Sequence, residues 1–160
     1  MPLNPMTIAD PWKRVIKYWS RCNIAIRPGV SADAIAAFQS KYHVILPTDV
    51  RDYFMATDGT GDDSDDEMYR FWPLAEVKPV HDELADTQHG SYRDRFAYPD
   101  CFVFADYCIW CWAYAFKLTD DPTQPAPVFR VTASDPPGEQ MASSFREFMA
   151  QYADDPDNII

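Results

Sequence analysis

Apolar residues recur along this chain at two periods, helical towards both ends and alternating in between. Trp12, Val15, Ile16 and Trp19 fall at helical spacing, with Lys13, Arg14, Lys17 and Arg21 on the other side. Asp10 ahead of Pro11 reads as an N-cap followed by proline at the first helical position. Arg27-Pro28-Gly29 ends this helix. Ser31 caps the next, whose inner face is Ile35, Phe38 and Tyr42. After the extended link Val44 to Pro47, a third helix buries Val50, Tyr53 and Phe54, with Gly59 as its left-handed terminator.

Met68 to Leu74 then reads as a strand stopped by Pro73. Cys101 to Tyr107 and Trp110 to Leu118 read as two more. In the second, Trp110, Trp112, Tyr114, Phe116 and Leu118 alternate with Cys111, Ala113, Ala115 and Lys117. One face is large and the other mostly small, as when a helix packs closely on a sheet. Thr119 to Pro127 is a connector and Pro127 to Thr132 another strand. Residues 78–98 show no clear period beyond a helical turn at Val80 to Leu84. Ser144 and Glu147 form a capping box for a last helix that buries Phe145, Phe148, Met149 and Tyr152.

The pattern predicts an α+β domain: N-terminal helices, a central largely antiparallel sheet and a C-terminal helix packed as one layer on it. Residues 1–160 form a single domain, with 1–30 as an N-terminal helical extension and 154–160 as a frayed tail. The expected core is Trp12, Trp19, Phe38, Phe54, Phe102, Phe104, Trp112, Phe145 and Phe148.

Composition supports a packed core, because 47% hydrophobic and 15% aromatic residues exclude a disordered chain. The first helix, basic and amphipathic, suits either docking on the core or lying on a membrane. Its four apolar positions are normal for a packed surface helix, so docking is expected. The longest uncharged apolar run, Cys108 to Phe116, is nine residues. A membrane span needs about 20. Met1 to Ala9 lacks a basic region followed by an apolar stretch, which predicts a cytoplasmic protein without a signal peptide.

Charge changes the picture most. The net charge is -11, and residues 58–67 alone hold six acids and no base: Asp58, Asp62, Asp63, Asp65, Asp66 and Glu67. Such a field repels nucleic acid and attracts basic proteins. A calcium loop starting at Asp58 would put Asp63 where glycine belongs and Tyr69 where glutamate belongs, so that pattern fails. The loop therefore reads as a solvated stretch, as a docking surface for a basic partner, or as a metal site.

Cys108-Ile-Trp-Cys111 has the CxxC spacing of redox and zinc sites. Read as strand, it sends the two side chains to opposite faces, so they share no metal without a turn. Cys101, Cys108 and Cys111 are expected to be buried, reduced thiols that hold no zinc. His81-Asp82-Glu83 suggests a general base, yet no Ser or Cys nucleophile setting accompanies it, and His43 and His89 add no ligand spacing. There is no phosphate-binding glycine loop, and no cofactor is expected. Residue by residue, the chain reads as an acidic binding module without an active site.

Ala34 to Pro47, then Asp49, Tyr53-Phe54 and Asp58-Gly59, resemble the opening of the SUKH superfamily. That superfamily takes in the fungal cell-wall regulator Smi/Knr and many bacterial immunity proteins. Phe71-Trp72-Pro73-Leu74 with Glu76-Val77, Phe102 to Tyr107, Pro127-Val128-Phe129 and Ser143 to Met149 follow in the expected order. The resemblance implies an α+β fold and a non-enzymatic role, either as an antidote to a cognate secreted toxin, often a nuclease, or as a regulatory interaction domain for an endogenous protein. The expected contact residues are the six acids, with Trp72 as the aromatic anchor.

Overall fold

The computed structural model describes residues 10–85, 98–132 and 138–159. The readings at residues 1–9 and at His89 lie outside the described residues. The elements run α1 (Trp12–Arg21), α2 (Ala32–Tyr42), α3 (Thr48–Ala56), β1 (Tyr69–Phe71), β2 (Lys78–Pro79), α4 (Val80–Ala85), β3 (Cys101–Tyr107), β4 (Trp112–Lys117), β5 (Val128–Val131), β6 (Gln140–Ala142) and α5 (Phe145–Asp154). Short 3₁₀ turns lie at Leu74–Glu76 and Pro156–Asn158. This is the α+β architecture the pattern predicts.

The sheet runs β1-β3-β4-β5-β6 with every pairing antiparallel, and β2 also pairs with β3. β1 and β2 thus share one edge, β1 against Ala105 to Tyr107 and β2 against Phe102 and Val103. Pro73 explains the break between them. Trp72 still donates its N–H to the Phe104 carbonyl at 2.8 Å, but Pro73 has no N–H to offer. The 3₁₀ turn steps over the gap before β2 resumes.

Residues paired across antiparallel strands share a face. Phe102 and Val128 both pair with Phe116, and Ala105 pairs with Tyr114. On that face Phe104 and Phe116 stack with ring centroids 4.9 Å apart. Phe145 of α5 stands edge-on to both, at 5.2 and 5.5 Å, and Phe148 edge-on to Phe104 at 5.6 Å. Trp12 stacks on Phe145 at 5.7 Å and meets Tyr53 of α3 at 5.4 Å. The tryptophans of α1 are therefore spent on the core, and its basic side faces out. The opposite face, with Val103, Ala113, Ala115 and Val131, is buried too.

Both capping expectations for the inner helices hold. The Ser31 hydroxyl accepts the Ala34 N–H at 3.1 Å. The Ser144 hydroxyl accepts that of Glu147 at 3.1 Å, while the Glu147 carboxylate reaches back to the Ser143 N–H at 2.9 Å. A second tie comes from α3, where Asp49 accepts the Arg146 N–H at 3.0 Å. α1 differs: Pro11 occupies the cap position, and Asp10 pairs instead with Arg14 at 2.5 Å. α3 ends at Thr57 in extended conformation, so Gly59 is not its terminator.

Three further readings change. Trp112 is half-buried rather than core, stacked on Tyr107 at 4.6 Å with the Arg130 guanidinium over its ring. Within the expected frayed tail, Pro156–Asn158 form a 3₁₀ turn and Ile159 beside it is buried. Cys108 to Cys111 form the β3–β4 turn and not strand. Cys108, Ile109 and Trp110 take φ values of +52°, +55° and +64°. For side-chain-bearing residues the left-handed region costs roughly 1–2 kcal/mol each.

Candidate partner-binding site

The acidic stretch begins where α3 ends, and its own inward-facing residues shape it. Asp58 is half-buried; its Oδ1 accepts the Leu74 N–H at 2.8 Å and its Oδ2 lies 3.6 Å from Arg27. Gly59, at φ +78°, lies against the β1 backbone, where a Cβ would stand 2.4 Å from the Phe71 carbonyl oxygen. Thr60 joins loop to strand: its N–H donates to the Phe71 carbonyl at 2.9 Å, and its hydroxyl accepts the Phe71 N–H at 3.0 Å. The same hydroxyl donates to the Asp63 carbonyl at 2.7 Å.

Asp65 is the pivot. It is 5% exposed. Its Oδ1 accepts the N–H groups of Glu67 and Tyr69, each at 2.9 Å. Its Oδ2 accepts the Tyr152 hydroxyl of α5, which in turn accepts the Trp19 indole N–H of α1 at 2.9 Å. Burial pushes the Asp65 carboxyl above the usual aspartate range, against the pull of these hydrogen bonds. Burial, followed by the Asp65 charge, drives the Tyr152 hydroxyl far above the usual tyrosine range.

Asp62, Asp63 and Asp66 remain exposed and Glu67 half-exposed. Glu67 is held above the usual glutamate range by desolvation first, then by Asp157 and by its neighbours Asp65 and Asp66. Asp157 comes from the turn after α5, so the ridge extends beyond the loop. Such like charges gathered at one surface repel each other and focus a negative potential.

Trp72 is placed inside, at 4% exposed. Its indole N–H donates to Asp106 Oδ2 at 2.7 Å, and Arg70 Nε donates to the same oxygen at 3.1 Å. Arg70 also reaches the Gly61 carbonyl at 3.0 Å and Glu76 at 3.2 Å, with its guanidinium 5.2 Å from the Trp72 ring centre. Trp72 and Arg70 therefore brace the loop from beneath.

Two adjoining clefts lie beside this brace. One, of about 400 Å³, is lined by Ala34, Ala37, Phe38, Asp58 and Leu74. The other, of about 390 Å³, is lined by Arg70, Trp72, Lys78, Glu83 and Trp110. They share Lys41, Tyr42, Ala75 and Val77, so they form one groove from α2 towards the β3–β4 turn. Sequence reasoning missed it, although Ala34, Ala37 and Lys41 already mark one outward stripe of α2.

His43, at φ +55°, is the left-handed cap of α2, and His81 is exposed on α4. Among the described residues no three His, Cys, Asp or Glu side chains gather to hold a metal. None of the four cysteines is in a disulfide. Cys101 is buried, its thiol pushed up to about 12 by desolvation, whereas Cys22 and Cys108 are half-buried and Cys111 is exposed. Among the described residues no helix is long and apolar enough to cross a membrane.

No curated protein matches the chain. The profile of the SMI1 / KNR4 family (SUKH-1) matches residues 29–151. The matched span runs from the α1–α2 link to within α5 and leaves α1 outside it. It contains the sheet, the acidic loop and the groove, and over that span the chain belongs to the SMI1 / KNR4 family (SUKH-1).

Proposed function

We propose that this chain is a non-enzymatic protein-binding module, an immunity protein that neutralises a cognate secreted toxin by direct binding in the cytoplasm of the producing cell. A nuclease toxin is the partner class that best suits the charge. Its active face must hold phosphate and is therefore basic. Family membership supports a binding role.

The observation that carries the reading is the division of labour within the loop. Asp58, Thr60 and Asp65 turn inward and hold the backbone, while Asp62, Asp63, Asp66 and Glu67 point outward. Outward charges on a backbone already held in place lose little conformational entropy when a partner docks. A partner's Lys and Arg would also relieve their mutual repulsion. Trp72 supports this surface from below, and the neighbouring groove supplies apolar area for the desolvated part of a contact.

The test is a growth-protection assay against candidate secreted toxin domains, nucleases first, taken from the producing organism. The wild-type chain should protect the cells from one of them and bind it directly as purified protein. The variant D62N/D63N/D66N/E67Q, which leaves the inward residues untouched, should lose protection at matched expression. Full protection by that variant would remove the loop from the interface. Failure of the wild type to bind any of them would remove the immunity reading.

A further inference from the structure

The Cys108-Ile-Trp-Cys111 motif takes no part in the acidic surface, and the turn that carries it alters its chemistry. Tyr107 and Trp112 are the last β3–β4 pair, so four residues reverse the chain. Cys108, Ile109 and Trp110 do this at positive φ, and the Cys111 N–H closes on the Tyr107 carbonyl four residues back, as in one turn of left-handed helix. That turn mirrors an α-helical one, whose geometry sets Cα atoms three residues apart at about 5 Å. A disulfide needs a Cα separation of about 4.4–6.8 Å. Along a strand the same two residues would stand roughly 10 Å apart on opposite faces.

The backbone pins both cysteines. The Cys108 N–H donates to the Met68 carbonyl at 2.9 Å, and the Cys111 N–H to the Tyr107 carbonyl at 2.8 Å. The Cys111 thiol folds back over the turn and donates to the Cys108 carbonyl at 3.1 Å. Cys111 is exposed and Cys108 half-buried, so Cys111 is the more accessible of the two. Zinc would need four ligands. Among the described residues no third His, Cys, Asp or Glu joins the pair.

We propose that Cys108 and Cys111 form a reversible dithiol–disulfide couple, oxidised by low-molecular-weight disulfides of the glutathione type. The Cys111 thiolate attacks one sulfur of the small disulfide, forming a mixed disulfide and releasing one thiolate. The Cys108 thiolate then attacks the Cys111 sulfur, closing the Cys108–Cys111 bond and releasing the second. Two protein thiols are oxidised, one small disulfide is reduced to two thiols, and the cysteine protons go to solvent or to the leaving thiolates.

The test uses the full chain with oxidised glutathione, followed by mass spectrometry and peptide mapping after the remaining thiols are blocked. The wild type should lose two hydrogens, retain no glutathione and show a Cys108–Cys111 link that dithiothreitol reverses. Cys108→Ser should stop at one glutathione on Cys111. A wild type that keeps glutathione on Cys111, links through Cys22 or Cys101, or leaves both turn thiols unreacted would overturn the proposal.

Discussion

Ile109 stands 89% exposed at φ +55°, where its β-branched side chain gains no packing and strains its backbone. Asparagine tolerates that region, so Ile109→Asn should stabilise the chain by about 1 kcal/mol in urea melts. A lower midpoint would show that the turn needs its isoleucine. Asp65 carries a pH signature. Burial raises its carboxyl in the folded state, so the folded chain holds that proton more tightly than the unfolded one. Its contribution is fully present below the unfolded value near 3.8 and is lost as pH rises through the folded value. Asp65→Asn lacks this titration. The stability of wild type relative to Asp65→Asn should therefore increase as pH falls from neutral towards 4, read in paired denaturant melts. A difference independent of pH would mean that folding does not perturb Asp65. None of this was legible locally. Six acids in ten residues look alike in sequence, and Asp65 is singled out by Tyr152, 87 positions away.

Periodicity marks the helices, and capping marks the starts of α2 and α5, because both depend on neighbours within a turn or two. Its spacing in α5 predicts Phe148 in the core, and it lies edge-on to Phe104 with its ring buried. Phe148→Ala should cost about 3–5 kcal/mol in denaturant melts, the usual loss for a buried phenylalanine. A loss under about 1 kcal/mol would make α5 peripheral. The β3–β4 turn is not legible in the sequence because tight hairpins normally announce themselves with Gly or Asn, and here Ile109 and Trp110 take the left-handed positions. β2 and β6, of two and three residues, are too short to carry a period. Their pairing with β3 and β5 decides them.

For the whole molecule the net charge of -11 matters less than its placement. Exposed charges chiefly set association rate, whereas buried contacts set dissociation. Against a basic partner, D62N/D63N/D66N/E67Q should slow association at least about tenfold at low salt and change dissociation much less. The wild-type rate should fall steeply as salt rises, because screening shortens the reach of these carboxylates. Stopped-flow or surface-binding kinetics across a salt series reads both. Equal association rates for variant and wild type at low salt would make the ridge a solvated face. Asp58 and Asp65 are left out of the variant because removing either loosens the loop and confuses stability with binding.

The sequence by itself determined the α+β class, the helices with their caps at Ser31 and Ser144, most of the aromatic core and the place of the acidic stretch. Each of these follows from local spacing, local hydrogen bonding or composition. Tertiary structure alone decided which acids face solvent, that Trp72 is buried with its indole on Asp106, that α2 leaves a groove, and that Cys108 and Cys111 share one turn. Those outcomes depend on partners distant in the chain: Tyr152 for Asp65, Asp106 for Trp72, and the β3–β4 register for the cysteines. A side chain's direction is set by what packs against it, and that information is not local.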